Sequence, residues 1–170
     1  EGRWPRLLAR SVLRKSLRRA DGVVTVSEWT ASRLRALVPG CEPIVVPNGV
    51  HEREPGESPP GIPANGYVLH VGHLEPRKNL RVVIEALAQI DAARRPELWL
   101  VGNDAGEWPR LRAHAERLGV HEHLRHLGVL SDFVLDAYYE DARLVVIPSR
   151  SEGFGLPARE ARAHRTRVAV

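Results

Sequence analysis

Methionine is absent from this 170-residue chain, cysteine occurs once, at Cys41, and the 25 basic residues include only two lysines, Lys15 and Lys78. A single cysteine excludes an internal disulfide and fits a reducing compartment. No stretch approaches the roughly 20 apolar residues that span a bilayer. The first residues are charged and lack the apolar core of a signal peptide. Aromatic residues make up 5%, so Trp29, Trp99 and Trp108 read as packing residues rather than a stacking platform. The preference for arginine over lysine matches a GC-rich genome and gives no reason to expect a nucleic-acid partner. A chain that opens at Glu1 without methionine and stops in the apolar run Arg167-Val-Ala-Val170 is expected to be a fragment cut at both ends.

What is present suits one soluble domain with a real core: 43% apolar residues, 27% charged and a net charge of +4. Residues 5–20 have helical spacing, with Leu8, Val12, Leu13 and Leu17 on one side and arginines on another. Gly22–Val26 reads as a short strand, Ser27 as the cap of a helix over 28–38, and Pro43–Val46 as a second strand. Residues 51–66 are rich in Pro, Gly and Glu and read as a linker, with 1–50 before it and 67–170 after it as separate bodies.

Beyond the linker, strand and helix patterns alternate. Strands are expected at 67–71, 98–101, 124–127 and 144–147. Between and after them, helices are expected to begin at Asn79, Pro109, Ser131 and Leu156. Leu80, Val83, Ile84, Leu87 and Ile90 form one apolar face, as do Leu111, Ala115 and Leu118. Such alternation implies an α/β fold, a doubly wound parallel sheet of the Rossmann-like kind with helices on both faces. Ligands of such sheets bind beyond the carboxyl ends of the strands. The loops at Gly72–Asn79, Gly102–Asp104, Gly128–Ser131 and Pro148–Leu156 therefore carry the chemistry.

Two of those loops are informative. Arg77 and Lys78 beside a helix start at Asn79 would offer fixed cations and backbone N–H groups to a phosphate. A random Arg-Lys pair would simply be solvated, but this one follows a buried strand and a glycine and contains one of the two lysines. In the last loop, Gly153 and Gly155 let a ligand approach the backbone, and the helix start that follows favours an anion. Glu152 and Glu160 would repel a diphosphate unless they bind hydroxyls, such as those of a sugar and a ribose. The blander alternative is a tight strand–helix turn with two surface glutamates. His121, His123 and His126 are close in sequence but lack a ligand pattern, so no metal is expected. His70 and His73 read as a strand and a loop residue, not as catalysts.

Pro-Ser-x-x-Glu152-Gly-Phe-Gly-Leu-Pro157, with Glu160 eight residues after Glu152, resembles the signature of retaining glycosyltransferases of family 4, which have the GT-B fold. Val24–Ser27 and Ile44–Val50 resemble the end of that family's first domain. Val71-Gly72 with Glu75–Asn79 resembles its donor-diphosphate loop, and Leu127-Gly128, Tyr138 and Ala142–Pro148 also fit. The resemblance implies that this chain is the C-terminal, donor-binding half of a GT-B enzyme with the tail of its N-terminal, acceptor domain. By it, Glu152 is the catalytic residue that holds the donor sugar and Glu160 binds the ribose. Arg77, Lys78, Gly72, Gly153, Phe154, Gly155 and Leu156 hold the diphosphate, and Val129 and Leu130 lie near the base. The donor would be a nucleotide sugar such as GDP-mannose or a UDP-sugar, with no metal or other cofactor. The acceptor would be a glycan or a lipid-linked glycan.

The chain departs from that family where His164-Arg165-Thr166-Arg167 replaces a small-residue and Gly-Thr-Pro stretch. Arg165 then takes a helix end that favours glycine. The fragment is expected to bind donor weakly without turnover. Two other readings stay open: a non-catalytic nucleotide-binding or regulatory module, and a nucleotide-sugar epimerase on a similar fold. Arg3, Arg6, Arg10, Arg14, Lys15, Arg18 and Arg19 concentrate positive charge on the first helix. That charge would allow peripheral contact with an anionic membrane, while an apolar stripe packed within its own domain is the simpler reading. The expected location is the cytoplasm, at the inner face of the membrane if the helix docks there.

Overall fold

The structure, a computed structural model, describes residues 3–50 and 57–170; within this span the side chains of 3–8 are not described. The first six residues of the expected linker, 51–56, lie outside the described residues. Contacts divide the chain into two units, 1–49 and 50–170.

The first unit contains α1 (Arg3–Arg19), β1 (Val24–Thr25), α2 (Glu28–Leu37) and β2 (Ile44–Val45). β1 and β2 pair in parallel. Ser27 caps α2 as expected, its hydroxyl accepting from the Thr30 amide at 3.1 Å. Val12 and Leu13, from the apolar stripe of α1, are exposed. Trp29 departs from its expected packing role: its ring is half exposed, and Arg33 lies 5.9 Å from its centre.

The second unit is an α/β layer structure. It runs β3 (Tyr67–Val71), α3 (Arg81–Ala88), β4 (Glu97–Val101), α4 (Trp108–Arg117), β5 (Leu124–Gly128), α5 (Asp132–Asp141), β6 (Leu144–Val146), α6 (Leu156–Ala163) and β7 (Val168–Ala169). The strands form one parallel sheet in the order β5-β4-β3-β6-β7. Alternate strand residues face opposite sides, and both sides are apolar. Val68, Leu98 and Leu100 pack with Ile84 and Leu87 of α3 and Leu111 and Ala115 of α4. Tyr67, Leu69, Trp99 and Val145 pack with Tyr139 of α5 and Ala161 of α6. Tyr67 and Trp99 stack with centroids 3.9 Å apart, so Trp99 is a packing residue.

Some boundaries differ from the sequence expectation. Asn79 does not start a helix with its side chain: it closes a 3-10 turn, Pro76–Lys78, in the left-handed region at φ 55°, and α3 follows from Leu80. Leu80 is buried while Ile90 and Leu118 lie beyond the helix ends and are partly exposed. Ser131 takes the N-cap position of α5, but its hydroxyl makes no capping bond. At the end of α6, Arg165 adopts φ 58°, the glycine-like conformation expected there.

The strand order places the ligand site. From β3 the chain winds outward to β4 and β5, then returns to β6 on the other side of β3. The loops after β3 and β6 therefore diverge, leaving a crevice at the carboxyl edge between them. The floor beside it is tight. Gly102, after β4, has φ 136°, and a Cβ there would lie 2.2 Å from the Gly72 carbonyl oxygen. Any side chain at Gly102 would push the β3 loop away.

Candidate functional site: the β3–β6 crevice

Three bonds join the two loops across this crevice. The Arg150 amide donates to the Arg77 carbonyl at 3.0 Å. Arg77 Nη1 donates to the Ser151 carbonyl at 2.6 Å. Lys78 Nζ donates to Glu152 Oε1 at 2.7 Å. The expected diphosphate cations and the expected sugar-binding carboxylate are thus direct partners. Arg77 also pairs with Glu75, and its Nη1 lies 3.6 Å from Glu152 Oε2.

Lys78 is the unusual member, since its side chain is only 9% exposed and burial of an ammonium is costly without a counter-charge. The 3-10 turn aims its stem inward over Gly72. At φ 143°, a Cβ on Gly72 would stand 3.3 Å from both Lys78 Cε and Nζ. Gly72 therefore makes room for the lysine, a need that is visible apart from any ligand. Burial opposes the charge of Glu152, but hydrogen bonding and charge from Lys78, with Arg77 beside it, outweigh that and hold its carboxyl below the ordinary value. The buried Ser149 hydroxyl beside Glu152 also favours its ionised form.

His70 lies behind this pair, in the middle of β3. It is fully buried, and its Nδ1 is 3.0 Å from the Val146 carbonyl. A carbonyl only accepts, so Nδ1 carries the proton and Nε2 is left with a lone pair. That Nε2 is buried without a partner, 3.6 Å from the space a Gly72 Cβ would fill. Burial, with Lys78 also contributing, pushes the imidazole down to about 4. A neutral imidazole behind Lys78 avoids a second positive charge there.

The α6 side of the crevice holds the other residues singled out in the sequence. Gly155 takes φ 73° at the N-cap of α6, and the Phe154 ring lies under the Arg159 guanidinium at 4.2 Å. Gly153 and Leu156 flank this turn. Glu160 sits on α6 facing α5, where it accepts a hydrogen bond from the Tyr139 hydroxyl at 2.7 Å. Burial first, then the Glu160 charge, pushes the Tyr139 phenol up, so it remains a donor. Tyr139 stacks on His164, whose Nε2 lies 3.1 Å from Asp136 Oδ1, and the Thr166 hydroxyl donates to the Tyr139 carbonyl at 2.6 Å. Val129 is exposed and Leu130 partly buried at the start of the β5–α5 connection.

Sequence reasoning missed Glu75, His70 and Tyr139. A histidine inside an apolar strand is a usable signal, because a buried ring nitrogen needs a partner. Nothing in the sequence singled out Tyr139. Among the described residues no group of three or more His, Cys, Asp or Glu side chains could hold a metal. His126 instead meets the Gly102 carbonyl at 2.9 Å and packs against Trp108.

The family model for glycosyl transferases group 1 matches residues 59–170. The O-antigen chain mannosyltransferase B of Escherichia coli is 32% identical over 162 residues, covering 88% of this chain and 42% of that protein. The D-inositol 3-phosphate glycosyltransferase of Acidothermus cellulolyticus is 34% identical over 169 residues, covering 88% and 38%. The chain thus spans about two fifths of the length of these curated relatives. Among solved structures, the Anabaena protein Alr3699/HepE in complex with UDP and glucose superposes with a TM-score of 0.81 at 25% identity, covering 94% of this chain and 47% of that one. Sucrose-phosphate synthase from Thermosynechococcus elongatus does so with a TM-score of 0.80 at 27% identity, covering 94% and 42%. The α/β unit is accordingly the Rossmann-like C-terminal domain of GT-B glycosyltransferases.

His70 makes stability depend on pH in a defined window. Its ordinary value is 6.5 and its folded value about 4. Between these, the unfolded chain binds a proton that the folded chain does not, so stability is full above the upper value and falls as pH drops toward the lower. The loss amounts to about 3 kcal/mol. Glu152, held low, adds a separate loss as pH falls below the ordinary carboxylate range. The substitution His70→Asn keeps a donor for the Val146 carbonyl and removes the titration. Urea unfolding across this window should show a shallower acid loss in that variant, and an unchanged slope would contradict the assignment.

Proposed function

The chain belongs to the glycosyl transferases group 1 family, and from that premise we propose that it is the donor-binding half of an enzyme transferring a sugar from a nucleotide diphosphate to an acceptor with retention of configuration. The observation that carries this reading is the placement of Arg77 and Lys78 against the Glu152 loop at the topological switch point. In the transfer, the bond from the sugar C1 to the diphosphate oxygen breaks and its electron pair goes to that oxygen. The acceptor oxygen bonds to C1 on the same face and its proton passes to the departing diphosphate oxygen. The difficult charge is the one developing on the departing diphosphate. Arg77, Lys78 and the α6 start, with Gly153, Phe154, Gly155 and Leu156 at its approach, stabilise it electrostatically without a metal.

Lys78 has three N–H donors and gives one to Glu152, so two remain for phosphate oxygens. A diphosphate arriving beside Arg77 and Lys78 also lessens their hold on Glu152, whose carboxylate is then available to a sugar hydroxyl. Glu160 receives Tyr139 on Oε2 and keeps its other oxygen for a ribose hydroxyl. Val129 and Leu130 lie beside the base. Solved structures of Alr3699/HepE contain UDP and UDP-glucose, and the Escherichia coli relative is a mannosyltransferase. These relatives support a nucleotide-sugar donor, which we take to be a UDP-sugar or GDP-mannose, with a glycan or lipid-linked glycan as acceptor. The basic face of α1 would bring the enzyme to an anionic membrane at the inner face. No helix among the described residues is long and apolar enough to cross one.

Calorimetry with UDP, GDP and their nucleosides tests the charge assignment. Arg77→Ala and Lys78→Ala should each weaken diphosphate binding by about tenfold or more, the worth of a charge-assisted hydrogen bond, and leave nucleoside binding unchanged. Equal loss for both ligand types would mean that the pair acts through folding. In the full-length parent, Glu152→Ala should raise the barrier to turnover by about 2–4 kcal/mol, and activity should persist in EDTA. For the membrane contact, the parent should sediment with anionic vesicles at low salt and be released at high salt; failure to sediment would dismiss it.

A further inference from the structure

A second cationic site lies on the other face of the sheet. A cavity of about 510 Å³ opens between the starts of α3 and α4 and the β3 and β6 loops. Arg81 of α3, Arg110 and Arg117 of α4, and Arg150 of the β6 loop line it, with Glu75 and Glu107 as the acidic residues. The balance is unequal. Glu75 spends its carboxylate on Arg77, and Glu107 lies 3.4 Å from Arg110. Among the described residues, the ion pairs leave out Arg81, Arg117 and Arg150.

Two of these guanidiniums are aimed rather than loose. His114 is buried on α4, with its Nε2 3.1 Å from Glu85 Oε1. Its Nδ1 lies 3.3 Å from Arg117 Nη2 and 3.5 Å from Arg81 Nη2. Guanidinium N–H groups only donate, so Nδ1 accepts and Nε2–H donates to Glu85. Each arginine gives one of its five N–H groups to a neutral lone pair and keeps the others for something else. Solvated arginines usually point apart, because like charges within a Debye length repel. Here four exposed arginines from three segments line one open cavity.

We propose that this cavity binds a phosphorylated small molecule, with the phosphoryl group held by Arg81, Arg117 and Arg150. A phosphoryl dianion matches planar, multi-donor guanidiniums. A volume of this size falls in the range of small-molecule sites, about 300–1,000 Å³, and leaves space for the group that carries the phosphate. The site adjoins the donor crevice through the β3 and β6 loops, but its cations are other than Arg77 and Lys78.

The test is NMR on the full chain carrying Lys78→Ala, which weakens the donor crevice and leaves the Arg77–Glu75 pair intact. Inorganic phosphate and glycerol 3-phosphate are titrated at constant ionic strength while the His114 imidazole and the Arg110 and Leu111 amides are followed. Saturable shifts are expected with both. Adding Arg81→Gln and Arg117→Gln should weaken binding by about tenfold or more. Arg150→Gln, which leaves the His114 surroundings intact, should also weaken it. Equal shifts with chloride, or undiminished binding in the Arg81→Gln/Arg117→Gln chain, would overturn the proposal. So would a response to phosphatidic-acid vesicles without one to the soluble esters, since the cavity would then be reading a membrane surface.

Discussion

A buried ammonium needs a counter-charge, and the bond from Lys78 to Glu152 supplies it across the gap between two loops that diverge in the chain. The rest of the crevice depends on that bond. Gly72 leaves room for the lysine, whose Cε and Nζ would crowd a Cβ there at 3.3 Å. His70 stays neutral behind it chiefly because it is buried, with repulsion from Lys78 adding to that. Arg77 is held over the same carboxylate by Glu75 and the Ser151 carbonyl. The sheet explains why the pair can form. Only between β3 and β6 do connections leave in opposite directions, and these two residues come from the loops that follow those strands.

The same pair accounts for how an electrostatic site can wait without its ligand. Without an anion, Glu152 satisfies Lys78 and limits the desolvation penalty. In the proposed function, an arriving anion uses the lysine's remaining donors and frees the carboxylate to take a hydroxyl. Glu160 follows similar logic at longer range, with Tyr139 fixing one carboxylate oxygen and being fixed in turn by His164 and Thr166. On the proposed reading, cations for phosphate and carboxylates for hydroxyls share one crevice without mutual repulsion, as a nucleotide sugar would require.

The layer architecture was legible in the sequence because both faces of the sheet are buried. Runs such as Tyr67–Val71 and Leu98–Val101 must then be apolar throughout, and the helices between them show one apolar face each. The loop residues were legible through their types: Arg77, Lys78, Glu152 and the glycines of the last loop. What escaped were facts of tertiary geometry. Asn79 looks like a helix cap but closes a 3-10 turn that turns Lys78 inward. The direct pairing of Lys78 with Glu152 spans 74 residues and has no local trace. Trp29 looked like a packing residue because its size says so, yet its ring is half exposed beside Arg33. The glycine-like conformation at Arg165 was legible from a helix end alone.

Because the chain has only two lysines, labelling lysine with ¹⁵N gives two ammonium signals, one from each unit of the protein. Titration with UDP and GDP while both are followed tests most directly whether Lys78 is the diphosphate contact. The Lys78 signal should shift and saturate together with nucleotide binding, while that of Lys15 stays fixed. A nucleotide that binds and leaves the Lys78 signal unmoved would contradict the account.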